Sequence, residues 1–187
     1  MGCADMEDVA AVDEWVVLLD PQRRPIGSQL KTQVHHAQTP LHLAFSVHVF
    51  DEADHTLLTR RAVTKRTWPG VWSNACCGHP APGEHLHDAV RRRLASELGL
   101  TALSLSLALA DFTYRAQDAN GVVENEVCPV FVAQVAGHQP GPDPDRSEVA
   151  EWMWVPRREA SALAVRFPWL LSPWSVLQFA ALAERDS

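Results

Sequence analysis

Residues 68–100 read WPGVWSNACCGHPAPGEHLHDAVRRRLASELGL and bring a thiol, an imidazole and a helix-borne carboxylate close together in the sequence. The pattern predicts a short strand at residues 71–77, a loop rich in proline and glycine, and a helix at residues 84–98 that Gly99 terminates. A strand, a glycine-containing loop and a helix N-terminus in this order are typical of a site for anions and their metals. One face of the helix is apolar and must pack against a core, since apolar residues recur at every fourth position: Leu86, Val90, Leu94 and Leu98.

The segments on either side of this stretch are mostly extended, with a few helices. The alternating patterns predict strands at residues 14–20, 26–31, 41–51, 56–61, 104–115, 122–135 and 151–155. Helices are predicted at residues 156–164 and 173–184, a brief helical turn at residues 31–36, and a proline-rich loop at residues 139–145. Strands and helices that do not strictly alternate indicate an α+β (mixed α/β) fold, with helices on both sides of a central mixed sheet.

Composition limits the partners and the compartment. A chain of 187 residues is sized for one domain, which we assign to residues 13–187 after a mobile tail at residues 1–12. The net charge of -7 argues against nucleic acid or an anionic membrane as the main partner. Four cysteines without a CxxC pair favour a reducing compartment, so we expect a cytoplasmic protein, and we expect it to be monomeric.

The spacing of glycine, acid and arginine in the opening stretch resembles the Nudix box, G-x5-E-x7-R-E-U-x-E-E-x-G-U, in which U is apolar. Gly78, Glu84, Arg92 and Gly99 stand at matching positions. Of the three acids that follow the arginine in the box, only one is present, because the three positions hold Arg93, Ser96 and Glu97. A hydrolase needs clustered carboxylates to hold several divalent ions and to activate a water, and this helix has lost most of them.

That loss, together with the motifs WPGVW, CCGHP, ENEVCPVF and SPW, is similar to one branch of the Nudix superfamily, the type I isopentenyl diphosphate isomerases. The motifs occur in the expected order between about residues 31 and 174. The resemblance implies a Nudix-like fold, a small-molecule diphosphate substrate, and the interconversion of isopentenyl and dimethylallyl diphosphate by protonation and deprotonation.

Histidines and carboxylates form a candidate metal site. Glu124 and Glu126 stand two apart in a strand pattern, so both carboxylates project to one side and need a cation to offset their charge. On spacing alone, chance scatter of nine histidines explains the imidazoles as well as a site does. The isomerase resemblance implies a site for Mn²⁺ or Zn²⁺ formed by His35, His42, His79, Glu124 and Glu126. The remaining histidines are expected at the surface: His36, His48, His55, His85, His87 and His138.

The resemblance also assigns the residues that would act on the substrate. It selects Cys77 as the reactive thiol, whereas Cys76 and Cys128 are expected to be small buried apolar residues. It implies that four cationic side chains bind the diphosphate: Lys31, Arg61, Lys65 and Arg93. Glu97 would hold a Mg²⁺ that bridges the phosphates, together with the backbone carbonyl of Cys77. From the residues alone, Arg93 and Glu97 could equally be a helix ion pair worth about 0.3–0.5 kcal/mol.

Alkenes are weak bases, so protonating one requires a strong acid and a cationic intermediate hidden from water. We assign the two proton-exchanging groups to Glu126 and Cys77, with Glu126 as the acid and Cys77, as a thiolate, as the base in one direction. The reaction is reversible, and the sequence leaves open which of the two is the acid in a given direction. Tyr114 is expected to hydrogen-bond Glu126, and Trp174 to cover the cation with its ring. Two alternatives remain: a Nudix-type diphosphate hydrolase, and a zinc-stabilised binding module in which the same histidines and glutamates are structural.

Overall fold

The computed structural model describes residues 14–137 and 141–185. Within these ranges it contains twelve β-strands and four α-helices, so the predicted α+β class is confirmed. The predicted tail at residues 1–12, and residues 138–140, which include the start of the predicted proline-rich loop, lie outside the described residues.

Most strands are short. One of the three longer helices lies near the middle of the chain, and the other two follow the last strand. In chain order the elements are β1 (Trp15–Leu19), β2 (Pro25–Leu30), α1 (Lys31–Val34), β3 (His42–Leu43), β4 (Phe45–Phe50), β5 (His55–Arg61), β6 (Trp72–Ser73), β7 (Cys76–Gly78), α2 (Leu86–Leu98), β8 (Ser104–Leu109), β9 (Thr113–Gln117), β10 (Val123–Val127), β11 (Val130–Gln134), β12 (Val149–Pro156), α3 (Arg157–Arg166), a short 3-10 helix (Pro168–Leu170) and α4 (Pro173–Arg185).

The strands form two mixed sheets. The first has the order β2-β1-β3-β10-β9 and the second the order β12-β5-β4-β11-β8, with β6 beside β5 and β7 beside β4. Strands β3 and β10 pair in parallel in the first sheet, and their chain continuations β4 and β11 pair in parallel in the second. Backbone hydrogen bonds from Ala44 to Val127 (2.9 Å) and from Ser46 to Pro129 (3.1 Å) join the chains where the sheets meet. The two sheets therefore diverge from a shared seam.

Four strands that the sequence predicts as continuous are divided in the structure. Residues 41–51, 104–115 and 122–135 each contribute one strand to each sheet, and residues 71–77 form the two short strands β6 and β7. Pro129 has no N–H for a ladder, and the N–H of Cys128 turns instead to the carbonyl of Phe112 (2.8 Å). The apolar alternation runs through both halves of each segment, so it does not mark the change of sheet.

Helix α2 packs its predicted apolar face on the second sheet. Val90, Leu94 and Leu98 have no exposed surface and join the main core cluster. Gly99 ends the helix in the left-handed conformation, with φ of 64°. A Cβ on Gly78 would lie 2.8 Å from Phe45 Cζ and 3.3 Å from Arg93 Cγ, so the glycine allows α2 to approach β7 closely. This approach places the polar side of α2 beside the end of β7.

Helices α3 and α4 cover the other side of the second sheet through a smaller apolar cluster that includes Leu58, Ala160 and Phe179. The chain is anchored there by the backbone hydrogen bond from Ser172 to Trp72 (2.8 Å), which brings the start of α4 next to β6. Among the described residues, none of the helices combines the length and the apolar character needed to cross a bilayer.

Candidate active site

A cavity of about 530 Å³ is lined by residues of both sheets. Strands β9 and β10 of the first sheet contribute Tyr114, Glu124 and Glu126, and β7 of the second contributes Cys77. Every site residue predicted from the sequence except His42 lines this cavity: Lys31, His35, Arg61, Lys65, Cys77, His79, Arg93, Glu97, Tyr114, Glu124, Glu126 and Trp174.

Three imidazoles meet at one end of the cavity, and we call them, with Glu124 and Glu126, the histidine cluster. The ring centroids of His35, His42 and His79 lie 5.2 to 5.6 Å apart. Glu126 is the register partner of His42 in the parallel β3–β10 ladder, and its Oε1 lies 3.3 Å from His42 Nε2 and 3.5 Å from His79 Nε2. Ligand atoms of these three histidines and Glu126 all lie within 4.8 Å of one another.

The hydrogen bonds of the histidine cluster fit a bound cation. His42 Nδ1 lies 2.9 Å from the carbonyl of Pro40, which only accepts, so Nδ1 carries a proton and Nε2 faces the Glu126 carboxylate. His42 Nε2 and both ring nitrogens of His79 are buried without a satisfied hydrogen bond among the described residues. Buried acceptors that converge in this way suit Zn²⁺ or Mn²⁺, which both accept imidazole and carboxylate ligands.

The pKa shifts in the cluster follow from the same arrangement of a buried carboxylate between imidazoles. Burial would raise the pKa of Glu126, but the close imidazoles of His42 and His79 hold that pKa well below its usual range. Burial lowers the pKa of His79 to about 3. For His42, burial opposes protonation, yet the Glu126 carboxylate raises the pKa. The carboxylate therefore attracts a cation to this end of the cavity.

Glu124, the fifth predicted ligand, stands slightly apart from the other four. Its Oε2 lies 3.0 Å from His35 Nε2 and is buried without a satisfied hydrogen bond among the described residues. It is not one of the four residues whose ligand atoms lie within 4.8 Å. The structure thus brings four predicted ligands together and places Glu124 against one of them.

Cys77 lies on β7 with its thiol at the cavity wall. The Ser46 hydroxyl lies 3.2 Å from its sulfur, and the Asn74 amide nitrogen lies 3.4 Å away. Burial raises the pKa of the Cys77 thiol to about 11, against the two hydrogen bonds, which lower it. The charge of Glu126 also acts on this thiol. Cys77 therefore lies in an environment that favours the protonated thiol.

Cys76 and Cys128 are buried, as the sequence predicts. The three cysteines of the described ranges, Cys76, Cys77 and Cys128, are free thiols, and only Cys77 is more than marginally exposed. Burial raises the pKa of Cys76 and of Cys128 well above the ordinary range. Cys77 is accordingly the reactive candidate among them.

At the other end of the cavity, cations and carboxylates form a network that we call the cation cluster. Arg93 Nε lies 2.5 Å from Glu97 Oε2, and Arg93 Nη2 lies 2.7 Å from Glu148 Oε2. The same Glu148 oxygen lies 2.5 Å from Lys65 Nζ, and Lys31 pairs with Glu14. Three of the four predicted diphosphate-binding cations therefore already have a protein carboxylate as partner.

The charges of the cation cluster shift one another's pKa values. Burial would raise the pKa of Glu148, but Arg93 and Lys65 lower it to about 2. Glu97 is more deeply buried, and desolvation raises its pKa even though Arg93 opposes the shift. Desolvation likewise would lower the pKa of Arg93, but Glu97 and Glu148 raise it above its usual range.

Arg61, the fourth cation, is held differently. Its guanidinium donates to the Thr67 carbonyl (3.0 Å) and lies 5.7 Å from the centroid of the Trp174 ring. Trp174 is buried, and its indole N–H donates to Asn74 Oδ1 and Ser73 Oγ, each at 3.1 Å. The ring at the start of α4 is thus fixed in the cavity wall rather than free to move.

Tyr114 stands beside the predicted acid but does not bond it. The β9–β10 register pairs Tyr114 with Glu126, and its ring packs at 5.6 Å from that of Trp174. The hydrogen bond predicted between Tyr114 and Glu126 is not present among the described residues, where the Tyr114 ring packs beside that of Trp174. Burial raises the pKa of Tyr114 well above its ordinary range.

One histidine is placed differently from its prediction. His48 is expected at the surface, but it has no exposed surface, because both faces of β4 are covered. Its Nε2 lies 3.0 Å from Gln178 Oε1, and burial lowers its pKa to about 4. His36, His85 and His87 are exposed as predicted, His55 is half-buried, and His138 lies outside the described residues.

Sequence reasoning missed several residues of the site. Glu14 and Glu148 line the cavity, and Ser46, Asn74 and Gln178 stand behind Cys77. The only sequence signal for Glu148 is its position just before the β12 pattern. This signal does not distinguish it from an ordinary solvated acid.

The cavity as a whole combines three features. It has a thiol and a carboxylate on different sheets that can exchange protons, a cluster of cation-binding ligands beside the carboxylate, and a group of cations suited to an anion.

Comparison with known proteins identifies the family of this chain. The NUDIX domain family model matches residues 40–174. A curated protein of Frankia alni, named isopentenyl-diphosphate Delta-isomerase, is 56% identical over 173 residues, which cover 92% of this chain and 88% of that protein. A protein of Mycolicibacterium vanbaalenii with the same name is 56% identical over 178 residues, covering 92% of this chain and 96% of its own.

Solved structures confirm the predicted Nudix-like fold. A structure from Deinococcus radiodurans has a TM-score of 0.63 at 15% identity and covers 82% of this chain and 90% of its own. A Nudix hydrolase from M. smegmatis has a TM-score of 0.57 at 20% identity, covering 93% of this chain and 94% of its own. At these identities the likeness establishes the fold alone.

Proposed function

The chain belongs to the isopentenyl-diphosphate Delta-isomerase family of NUDIX-domain proteins, and from that premise we propose how its cavity interconverts isopentenyl and dimethylallyl diphosphate. The reaction moves a carbon–carbon double bond by adding one proton and removing another. One observation carries the proposal: Cys77 and Glu126 come from different sheets and line the same cavity. Groups placed in this way can exchange protons with the two faces of a flat five-carbon chain between them.

Cys77 and Glu126 are the two catalytic residues. One donates a proton to the alkene and the other accepts a proton from the allylic carbon, and their roles exchange in the reverse direction. Both are buried except where they meet the cavity, which limits the access of water to a tertiary cation. Trp174 and Tyr114 supply ring faces beside this space, and a ring face stabilises a desolvated cation by about 2 kcal/mol.

The histidine cluster is proposed to hold one Mn²⁺ or Zn²⁺ through His35, His42, His79 and Glu126, with Glu124 as the additional ligand. When bound, the ion supplies fixed positive charge that increases the acidity of groups beside it. His42 contributes through Nε2, because its Nδ1 proton is committed to Pro40.

The cation cluster is proposed to hold the diphosphate. Lys31, Lys65, Arg93 and Arg61 line the cavity and can donate charge-assisted hydrogen bonds to phosphate oxygens. Glu97 is proposed to hold Mg²⁺ together with the backbone carbonyl of Cys77. Because three of the cations are already paired with carboxylates, substrate binding exchanges one set of ion pairs for another.

The alternative of a diphosphate hydrolase is not favoured by the acids of α2. Glu84, the first acid of the Nudix box, forms a bidentate pair with Arg92 (2.8 Å to each nitrogen) and does not line the cavity. Glu97 is the one box acid at the cavity, and Arg93 pairs with it. Hydrolysis of a diphosphate requires several carboxylate-held ions and a positioned water.

The test is to incubate the metal-loaded protein with isopentenyl diphosphate and Mg²⁺ in D₂O and to follow the products by NMR. We expect dimethylallyl diphosphate that carries deuterium, with the diphosphate intact. Release of inorganic phosphate would instead support the hydrolase. If the protein binds metal and unfolds on chelation, but neither isomerises the alkene nor hydrolyses the diphosphate, the result would support the structural binding module.

Three further assignments are proposed on the same premise: one domain at residues 13–187, a monomeric state and a cytoplasmic location. The net charge of -7 supports a partner that is a small anion captured by a few local cations rather than nucleic acid or an anionic membrane.

A further inference from the structure

A line of buried polar side chains leads from Cys77 into the core between β4 and α4. Ser46 Oγ lies 3.2 Å from Cys77 Sγ, Gln178 Nε2 lies 2.8 Å from Ser46 Oγ, and His48 Nε2 lies 3.0 Å from Gln178 Oε1. Ser46, His48 and Gln178 have no exposed surface. Burying three polar side chains in a row is costly unless each is bonded, so the bonds constrain one another.

The two inner bonds of this line, from His48 to Gln178 and from Gln178 to Ser46, have a fixed direction. Gln178 Oε1 can only accept, so His48 donates from Nε2, and a neutral ring leaves Nδ1 without a proton. His48 Nδ1 has no hydrogen-bond partner within residues 14–137 and 141–185, as suits a bare lone pair. Gln178 then donates from Nε2 to Ser46 Oγ. One acceptor position of Ser46 is therefore occupied, and its own O–H is free to donate elsewhere.

Two sulfur atoms compete for that O–H. Cys77 Sγ lies 3.2 Å and Cys128 Sγ lies 3.3 Å from Ser46 Oγ. Asn74 also faces Cys77 at 3.4 Å, but its amide nitrogen lies closer to the carbonyls of Val47 (3.0 Å) and Cys76 (2.9 Å), which take its two protons. Ser46 is thus the nearer donor to the Cys77 sulfur.

We propose that Ser46 is a positioning residue for Cys77: its hydroxyl, oriented by Gln178 and His48, donates to the Cys77 sulfur and holds that sulfur at the cavity wall. This inference rests on the proposed catalytic role of Cys77. The proton of Ser46 stays on its oxygen, so the only proton transferred is the one between substrate and Cys77.

The experiment measures kcat and KM for isopentenyl diphosphate in Ser46→Ala, Ser46→Thr and Gln178→Met. Loss of a hydrogen bond to a charged group in the reaction should lower kcat of Ser46→Ala about tenfold or more, with KM within about twofold. Ser46→Thr keeps the hydroxyl and should recover kcat to within about threefold of the parent protein. Gln178→Met releases the orientation of Ser46 and should lower kcat by a smaller factor.

Thr56→Val is the matched control, because it removes another fully buried hydroxyl from the neighbouring strand β5, where no sulfur is bonded. It should leave kcat unchanged. The inference is overturned if Ser46→Ala keeps kcat within twofold, if a rise in KM or a loss of bound metal accounts for its defect, or if a folded Ser46→Thr is as slow as Ser46→Ala. Should Ser46→Ala not fold by circular dichroism, an unchanged kcat in Gln178→Met overturns it.

Cys77→Ala in the same assay separates the two levels of proposal. If Cys77→Ala retains turnover, the assignment of Cys77 fails and the role of Ser46 fails with it. If Cys77→Ala is inactive and Ser46→Ala is normal, only the positioning role fails.

Discussion

The two ends of the cavity solve opposite electrostatic problems. In the histidine cluster, Glu126 attracts positive charge while His42 and His79 present nitrogens without a satisfied hydrogen bond in the described ranges. In the cation cluster, Arg93 and Lys65 are already neutralised by Glu148, and Arg93 also by Glu97. The first end has the ligands to accept a cation, whereas the second is internally paired and must exchange partners to take up an anion.

This difference fits the proposed use of the cavity, in which one end binds a cation and the other binds an anion. The negative charge of Glu126 has no fixed positive partner, such as a lysine or an arginine, among the described residues, so it can interact with a bound metal ion or with a charge that develops in the reaction. Charge that the protein balances around Arg93 keeps the fold stable without substrate, because a lone buried guanidinium would be costly. The two ends should therefore respond differently to substitution.

The largest expected effect is the loss of turnover when one of the two proposed proton-exchanging residues is replaced. Cys77→Ala should reduce turnover about 10⁴-fold while metal content and folding stay normal, because it removes one proton-exchanging group. Glu126→Gln should reduce turnover similarly but also lower the metal content, because Glu126 belongs to the histidine cluster. Kinetics together with elemental analysis provide the measurement.

Cys76→Ala is the control for Cys77→Ala, since Cys76 is the adjacent residue and faces the apolar core. It should keep turnover within a few-fold. Normal activity in Cys77→Ala, or equal losses in the two cysteine variants, would contradict the assignment.

A smaller effect is expected from Arg93→Met in the cation cluster. The substitution leaves Glu97 and Glu148 buried without their guanidinium, which should lower the free energy of unfolding by about 3 kcal/mol. Arg92→Met is the matched control on the same helix: its pair with Glu84 is exposed, so the cost should be below about 1 kcal/mol. Urea unfolding measures both, and equal costs would show that the paired network does not stabilise the fold.

The histidine cluster should respond through metal rather than through packing. His79→Ala should lose the bound Mn²⁺ or Zn²⁺ and reduce turnover about 100-fold. Added metal should raise the Tm of the parent protein but not that of the variant, because only a state that binds the ion is stabilised. His36→Ala, an exposed histidine next to His35, should behave as the parent does. An unchanged metal content in His79→Ala would exclude it as a ligand.

The sequence predicts the histidine cluster better than the cation cluster. The family resemblance identifies single residues such as His42 and Cys77, and local patterns identify the helix that carries Arg93. It does not identify Glu148, since its role depends on contact with Arg93, 55 positions away along the chain. The surface placement of His48 is wrong for a similar reason, because both faces of β4 are covered, on one side by α4, whose Gln178 lies 130 positions away.

The sheet arrangement is equally invisible to local patterns. Alternation predicts that residues 122–135 are extended, and they are, but it does not reveal that β10 and β11 belong to different sheets. That division is what brings Glu126 and Cys77 to the same cavity from two sides. Alternation with a period of two indicates which face of a strand is buried. It does not indicate which strands pair with its two edges.

The last expected effect is confined to acid pH and concerns the stability that the cation cluster provides. The folded-state pKa of Glu148 is lowered to about 2 from an ordinary value of 4.5, so its stabilisation is present above about pH 4.5 and is lost as the pH falls towards 2. From this shift, the group contributes on the order of 3 kcal/mol to the free energy of unfolding at neutral pH. Glu148→Gln should flatten the fall of that free energy between pH 4.5 and 2, as measured by urea unfolding at each pH. Glu151→Gln on β12 removes a pair with Arg60 of β5 that is more exposed, so it should leave the slope unchanged. Parallel slopes in the parent protein and in Glu148→Gln would mean that the cation cluster is not internally neutralised, and the contrast between the two ends of the cavity would then disappear.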